Sequence, residues 1–146
     1  MESKIIVISG GSSGLGYAYA KVLSEENKVI ILARNEENLK KASEELECEF
    51  EVCDISDKDS VVGCMKRVEE KYGKVDVLLN NAALFLDGEV ENNDYESISR
   101  LIDINLTGQI FLTKAALPFL KKAGKALVVN TNSTAGKTVR KDVDVY

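Results

Sequence analysis

Residues 4–23 read KIIVISGGSSGLGYAYAKVL, and their order decides the fold. Lys4 to Ser9 is a short apolar run rich in isoleucine and valine, the composition of a strand buried on both faces. Ser9-Gly10-Gly11-Ser12-Ser13-Gly14-Leu15-Gly16 follows as a glycine turn. A helical pattern comes next, with Leu15, Ala18, Tyr19, Val22 and Leu23 expected on one face. Strand, glycine turn and helix in this order make an anion site. The first amides of the helix have no partner within it, and the helix dipole favours negative charge there. Glycines let a pyrophosphate approach the backbone, and Ser12 and Ser13 add hydroxyl donors. No Gly-Lys-Ser/Thr is present, so the loop lacks the lysine that a nucleoside-triphosphate loop uses.

The same alternation continues outward. KVIILA (28–33), FEVCD (50–54), VDVLLNNA (75–82) and KALVVNT (125–131) read as further strands. Between them, a helix from about Asn35 buries Leu39, Ala42 and Leu46. Another begins at Ser56-Asp57-Lys58-Asp59, a capping-box pattern with Asp for the usual Glu, and shows a stripe of Val61, Val62, Met65, Val68 and Tyr72. A long helix runs from about Asp94, capped by Asn93 with Glu96 at the capping-box position, as far as Pro118, and Gly124 closes the segment. Continuous rather than alternating apolar strands predict a parallel sheet covered by helices on both faces. Right-handed crossovers make it an α/β doubly wound sheet, Rossmann-like, of strand order 3-2-1-4-5. No repeat or linker divides the chain, and residues 1–146 read as one nucleotide-binding domain.

Composition narrows the function. A net charge of −5 argues against a partner held by nucleic-acid phosphates. No apolar run is long enough to span a bilayer. Cys48, Cys53 and Cys64 form no CxxC pair and the chain has no histidine, so no metal site is expected. The thiols read as small buried side chains in a reducing cytoplasm.

The spacing of Ser9-Gly10-x3-Gly14-x-Gly16 resembles the TGxxxGxG motif of the short-chain dehydrogenases/reductases, with serine for threonine. ARNEENL after strand two, CDISD after strand three, NNAA after strand four, INLTG in the long helix and NSTAG after strand five extend the resemblance along nearly the whole chain. The order and placement of these motifs are similar to the classical subtype of that family. The family's later strands and its substrate-binding lobe have no counterpart in the 146 residues.

The resemblance implies a hydride transfer between a nicotinamide cofactor and a small carbonyl or alcohol substrate. Ala33 stands where an NAD site of this class has an acid, and Arg34 follows it. A neutral side chain beside a guanidinium suits a 2′-phosphate, so NADP(H) is expected over NAD. Uncharged Ser13 argues the other way, because many NADP-preferring relatives have a base there. Asp54 is implied to accept from the adenine amino group while Ile55 packs on the ring. Asn81, Ala82 and Ala83, in the NNAA motif, would border the adenosine ribose. Ala83 replaces a glycine, which makes a left-handed backbone costly there.

The implied catalytic set is Asn105, Ser133 and Tyr146 with a lysine. Asn105 would hold a water leading to the lysine, Ser133 would bond the substrate oxygen, and Tyr146 would exchange the proton. The lysine of YxxxK would lie beyond residue 146. Tyr146 as given would have a terminal carboxylate beside its phenol, which raises the phenol's pKa. Little or no turnover is therefore expected of these residues alone. The alternatives are a dinucleotide-binding fragment without catalysis and a structural remnant that binds nothing. The long helix from Asp94 resembles the one that relatives use to contact a second copy.

Overall fold

The computed structural model describes residues 3–137. Tyr146, the last residue of the implied catalytic set, lies outside them. Five strands, β1 (Ile5–Ser9), β2 (Lys28–Ala33), β3 (Glu49–Val52), β4 (Val77–Asn80) and β5 (Leu127–Asn130), form one sheet of order β3-β2-β1-β4-β5. Every pairing is parallel, with Val7 opposite Ile30 on one side and Leu78 on the other. The expected doubly wound sheet and its strand order are what the chain adopts.

Alternate residues of each central strand feed opposite layers, as the period of two requires. Ile5, Val7, Ile30, Leu32 and Leu78 join a core with helix α3 (Lys58–Tyr72) and helix α5 (Gln109–Lys122). Ile6, Ile8, Val29, Ile31 and Leu79 join the other with helix α1 (Gly14–Leu23) and helix α2 (Glu36–Leu46). Burial on both faces holds for β1, β2 and β4 but not for the edges: β3 is only partly covered and β5 is exposed along its length.

Several helix expectations need correction. In α1 the buried residues are Gly16 and Ala20, whereas Leu15 is 50% and Val22 67% exposed, and Ala18 and Tyr19 also face out. Position 16 faces the Gly10 carbonyl, which leaves no room for a side chain, while Tyr17 and Leu23 pack part-buried on the core beside Ala20. In α3 the stripe keeps Val61, Met65 and Val68 but exposes Val62, with Cys64 buried instead. The cap of α3 is Asp57, not Ser56: its Oδ1 accepts from Asp59 N–H at 2.8 Å. Asp94, not Asn93, caps helix α4 (Tyr95–Ile102), accepting from Ser97 N–H at 2.6 Å.

The single long helix is in fact three segments. After α4 a six-residue π-helical stretch, Asp103–Gly108, leads into α5. Helix α5 then passes through Pro118 to Lys122. Pro118 is exposed, so water can meet the carbonyl that its missing N–H leaves without a helix partner. Leu112, Ala116 and Leu120 meanwhile hold the helix on the core.

The start of the β1–β4 seam is fixed by a buried charge. Asp76, 2% exposed, accepts from Ile5 N–H at 2.9 Å and pairs with Lys74 at 3.3 Å and Lys4 at 3.7 Å. Burial works to raise its pKa. The Ile5 amide and the two lysines outweigh burial and hold the carboxyl below the ordinary value.

Candidate functional site

The glycine turn is built by contacts that leave no room for side chains. Gly10 has φ +69° and donates its N–H to Leu32 O at 2.8 Å, which bends the chain off the end of β1. A Cβ at Gly16 would come within 2.2 Å of the Gly10 carbonyl oxygen, so α1 can begin here only with glycine at that position. Ser13 precedes α1 in extended conformation and makes no side-chain cap, and the first turn contains no acid. The helix therefore presents uncapped amides without a competing negative charge, the condition for holding a pyrophosphate.

The ends of β1 and β4 are stapled together beneath this turn. Ser9 Oγ accepts from Asn81 N–H at 3.0 Å and Ala82 N–H at 3.1 Å, and donates to Leu79 O at 3.3 Å. Asn81 Nδ2 donates to Ser9 O at 3.2 Å, and Thr131 Oγ1 donates to Asn81 Oδ1 at 3.3 Å. Among the described residues only Glu47 combines a side chain with positive φ, so Ala83 stands in ordinary backbone and glycine is not required there.

A cavity of about 760 Å³ opens along the carboxyl ends of these strands. This is where ligands bind open α/β sheets, and the volume is that of a small-molecule site. Gly10, Ser12, Ser13, Leu15, Arg34, Asp54, Ile55, Asn81, Ala82 and Ala83 line it. Ser9, Gly11, Gly14 and Gly16, also expected at the site, shape the turn without lining the cavity. Leu32, Asn35, Cys53, Leu84, Ile104 and Thr131 line it too and were not foreseen as site residues. Asn35 had a readable signal as the cap of α2, where its side chain accepts from Asn38 N–H at 2.9 Å. Ile104 and Thr131 had none, since only the tertiary fold brings them in.

Asn105 and Ser133 are not among the lining residues. Asn105 sits in the π-helical stretch with both ends of its side-chain amide engaged by one residue. Its Oδ1 accepts from Leu84 N–H at 2.7 Å and its Nδ2 donates to Leu84 O at 2.8 Å. The side chain thus clamps the loop after β4 to the helix, and a widened turn in that helix is what lets it reach. Ser133 is exposed after β5, its Oγ accepting from Ala135 N–H at 3.1 Å at the start of a short 3₁₀ turn.

The thiols are all free: Cys53 and Cys64 are buried, Cys48 half-buried. Burial pushes Cys48 up to about 11, and pairing with Cys53 together with burial raises Cys64, so neither is a ready thiolate. Among the described residues no cluster of His, Cys, Asp or Glu could hold a metal, and no helix is long and apolar enough to cross a membrane.

The glycine turn, the uncapped helix and the cavity at the sheet's carboxyl end fit a dinucleotide. Comparison with known proteins agrees. The family model described as short chain dehydrogenase matches residues 4–146, and the chain belongs to that family. It is 28% identical over 153 aligned positions to an uncharacterised oxidoreductase of Staphylococcus saprophyticus, covering 100% of this chain and 65% of that one. The chain therefore spans about two thirds of the length of the curated relatives it matches. A crystal structure of an actinorhodin polyketide ketoreductase variant with NADPH is 32% identical with a TM-score of 0.89, over 94% of this chain and 56% of that one. A short-chain dehydrogenase/reductase from Burkholderia phymatum in complex with NAD shares the fold at a TM-score of 0.92 and 24% identity, over 99% and 54% of the two chains.

Proposed function

We propose that the chain forms the NADP(H) site of an oxidoreductase interconverting a small carbonyl compound and its alcohol. The observation that supports this most is one cavity bordered by the uncapped start of α1, by Arg34 with neutral Ala33, and by Asp54 with Ile55. Ser12, Ser13 and the α1 amides hold the pyrophosphate in this reading, and Asn81 to Ala83 border the adenosine ribose. Arg34 takes the 2′-phosphate, where Ala33 adds no opposing charge. The bound cofactor supplies or accepts the hydride. Ser133 bonds the substrate oxygen, and Tyr146 gives its phenolic proton to that oxygen in reduction and recovers it in oxidation. Asn105, through Leu84, keeps the loop beside the site in place.

Free cysteines suit a reducing cytoplasm, which we take as the compartment. Exposed Ile102, Leu106 and Ile110, spaced four apart on the segmented helix, suit contact with a second copy.

The chain contains no tryptophan, so the fluorescence of reduced nicotinamide reports binding without interference. NADPH should bind more tightly than NADH, and Arg34→Ala should weaken NADPH about tenfold while leaving NADH unchanged. Equal affinity for both cofactors in both proteins defeats the NADP assignment. Reduction of ketones by NADPH, abolished in Tyr146→Phe, supports catalysis. Binding without turnover supports a dinucleotide-binding role alone.

A further inference from the structure

The turn after β3 fixes one carboxylate more firmly than the backbone requires. Asp54 N–H donates to Ser60 Oγ at 3.0 Å, and Asp54 O accepts from Asp57 N–H at 3.1 Å. Cys53 N–H donates to Ala33 O at 2.9 Å, tying the turn to the end of β2. These bonds settle where the main chain of Asp54 lies, but they leave its side-chain torsion open. Rotation about the bond to a carboxylate is soft, so the backbone alone does not orient the two oxygens.

Ser56 supplies the missing constraint. Its N–H donates to Asp54 Oδ1 at 3.0 Å and its hydroxyl donates to the same oxygen at 2.6 Å. Helix α3 does not need that hydroxyl, because Asp57 is the cap. No described residue donates to Asp54 Oδ2. Asp54 and Ile55 line the cavity while Ser56 does not. One carboxylate oxygen is thus saturated from behind, and the other is left as an acceptor.

Resting on the nucleotide-binding reading above, we propose that Ser56 is a positioning residue that sets the base specificity of the site through Asp54. An ionised carboxylate can only accept hydrogen bonds. Held in one rotation, it selects a purine with an amino group at the six position and repels one with a carbonyl there. Free to turn, it can move away from that carbonyl, and the selection fades.

The test compares NADPH with its hypoxanthine counterpart, in which the amino group is replaced by oxygen. The intact chain should prefer the adenine cofactor by about tenfold or more, as expected when a charge-assisted hydrogen bond is exchanged for repulsion. Ser56→Ala, which loses the hydroxyl bond but keeps the N–H one, should lose part of that preference, and Ser56→Thr, which keeps the hydroxyl, should restore it. Ser56→Gly also removes the hydroxyl while keeping the N–H bond, and should behave as Ser56→Ala does. A purely structural role would weaken both cofactors by the same factor and leave their ratio alone. An unchanged ratio in Ser56→Ala and Ser56→Gly, with the parent still selective, overturns the role of Ser56 only. A parent that binds neither cofactor overturns the nucleotide reading and this inference with it.

Discussion

Strands β1 and β5 are both apolar and both hydrogen-bonded into the same parallel sheet, yet their surroundings are opposite. Every residue of β1 is buried, and every residue of β5 is exposed. β1 lies between two strands, under α1 and α2 on one face and α3 and α5 on the other. Among the described residues β5 pairs with β4 alone, and none of its residues joins either core. An apolar run thus says that a segment will be a strand. Its depth depends on which helices cover it, and that is a property of the whole chain.

Substitutions can break this contrast. Asp76→Ala should cost the most, about 3 kcal/mol in chemical denaturation at neutral pH, because it leaves the Ile5 amide and two lysines without their partner. Its pH dependence gives a second reading. A carboxyl held below its ordinary value of 3.8 binds fewer protons folded than unfolded. Its stabilisation is complete above that value and fades as pH falls through the lower folded one. The gap between parent and variant should therefore narrow below about pH 4. A constant gap down to acid unfolding would show that charge plays no part in the seam.

Gly16→Ala comes next, at about 2 kcal/mol, since the added methyl must displace backbone rather than a flexible side chain. Cofactor binding should fall with it. The smallest pair tests the two strands directly. Val7→Ala, at a fully buried site, should cost about 2 kcal/mol, and Val129→Ala, 37% exposed, well under 1 kcal/mol. Comparable losses at both positions would mean that β5 is covered in solution.

Much of the site was legible because it is written in local rules. The glycine spacing requires a tight turn against a helix start, and Ala33-Arg34 and Asp54-Ile55 fall at strand ends whatever the rest of the chain does. What was not legible depends on distance. The pattern Leu15, Ala18, Tyr19, Val22, Leu23 has helical spacing, but it cannot report that α1 turns Gly16 and Ala20 inward, with the Gly10 carbonyl closing on position 16. Ser56 and Asp57 are equally good caps on paper, and the choice turns on Asp54 taking the serine. The role of Asn105 as a clamp on Leu84 needs a π-helical stretch that no propensity signals.

That stretch also makes the helix sensitive to its length. A π turn uses an extra residue, which rotates all that follows by about 100° relative to an unbroken α-helix. Ile104, Gly108, Leu112, Ala116 and Leu120 are all buried at steps of four, a series that a long straight helix would gradually turn away from the sheet. Removing one residue between Asp103 and Gly108 would force a choice between the Asn105 clamp and the Leu112–Leu120 face. Replacements that keep the length keep both in phase, except at Asn105, which makes the clamp, and at Gly108, where a Cβ would come within 2.7 Å of the Ile55 carbonyl oxygen.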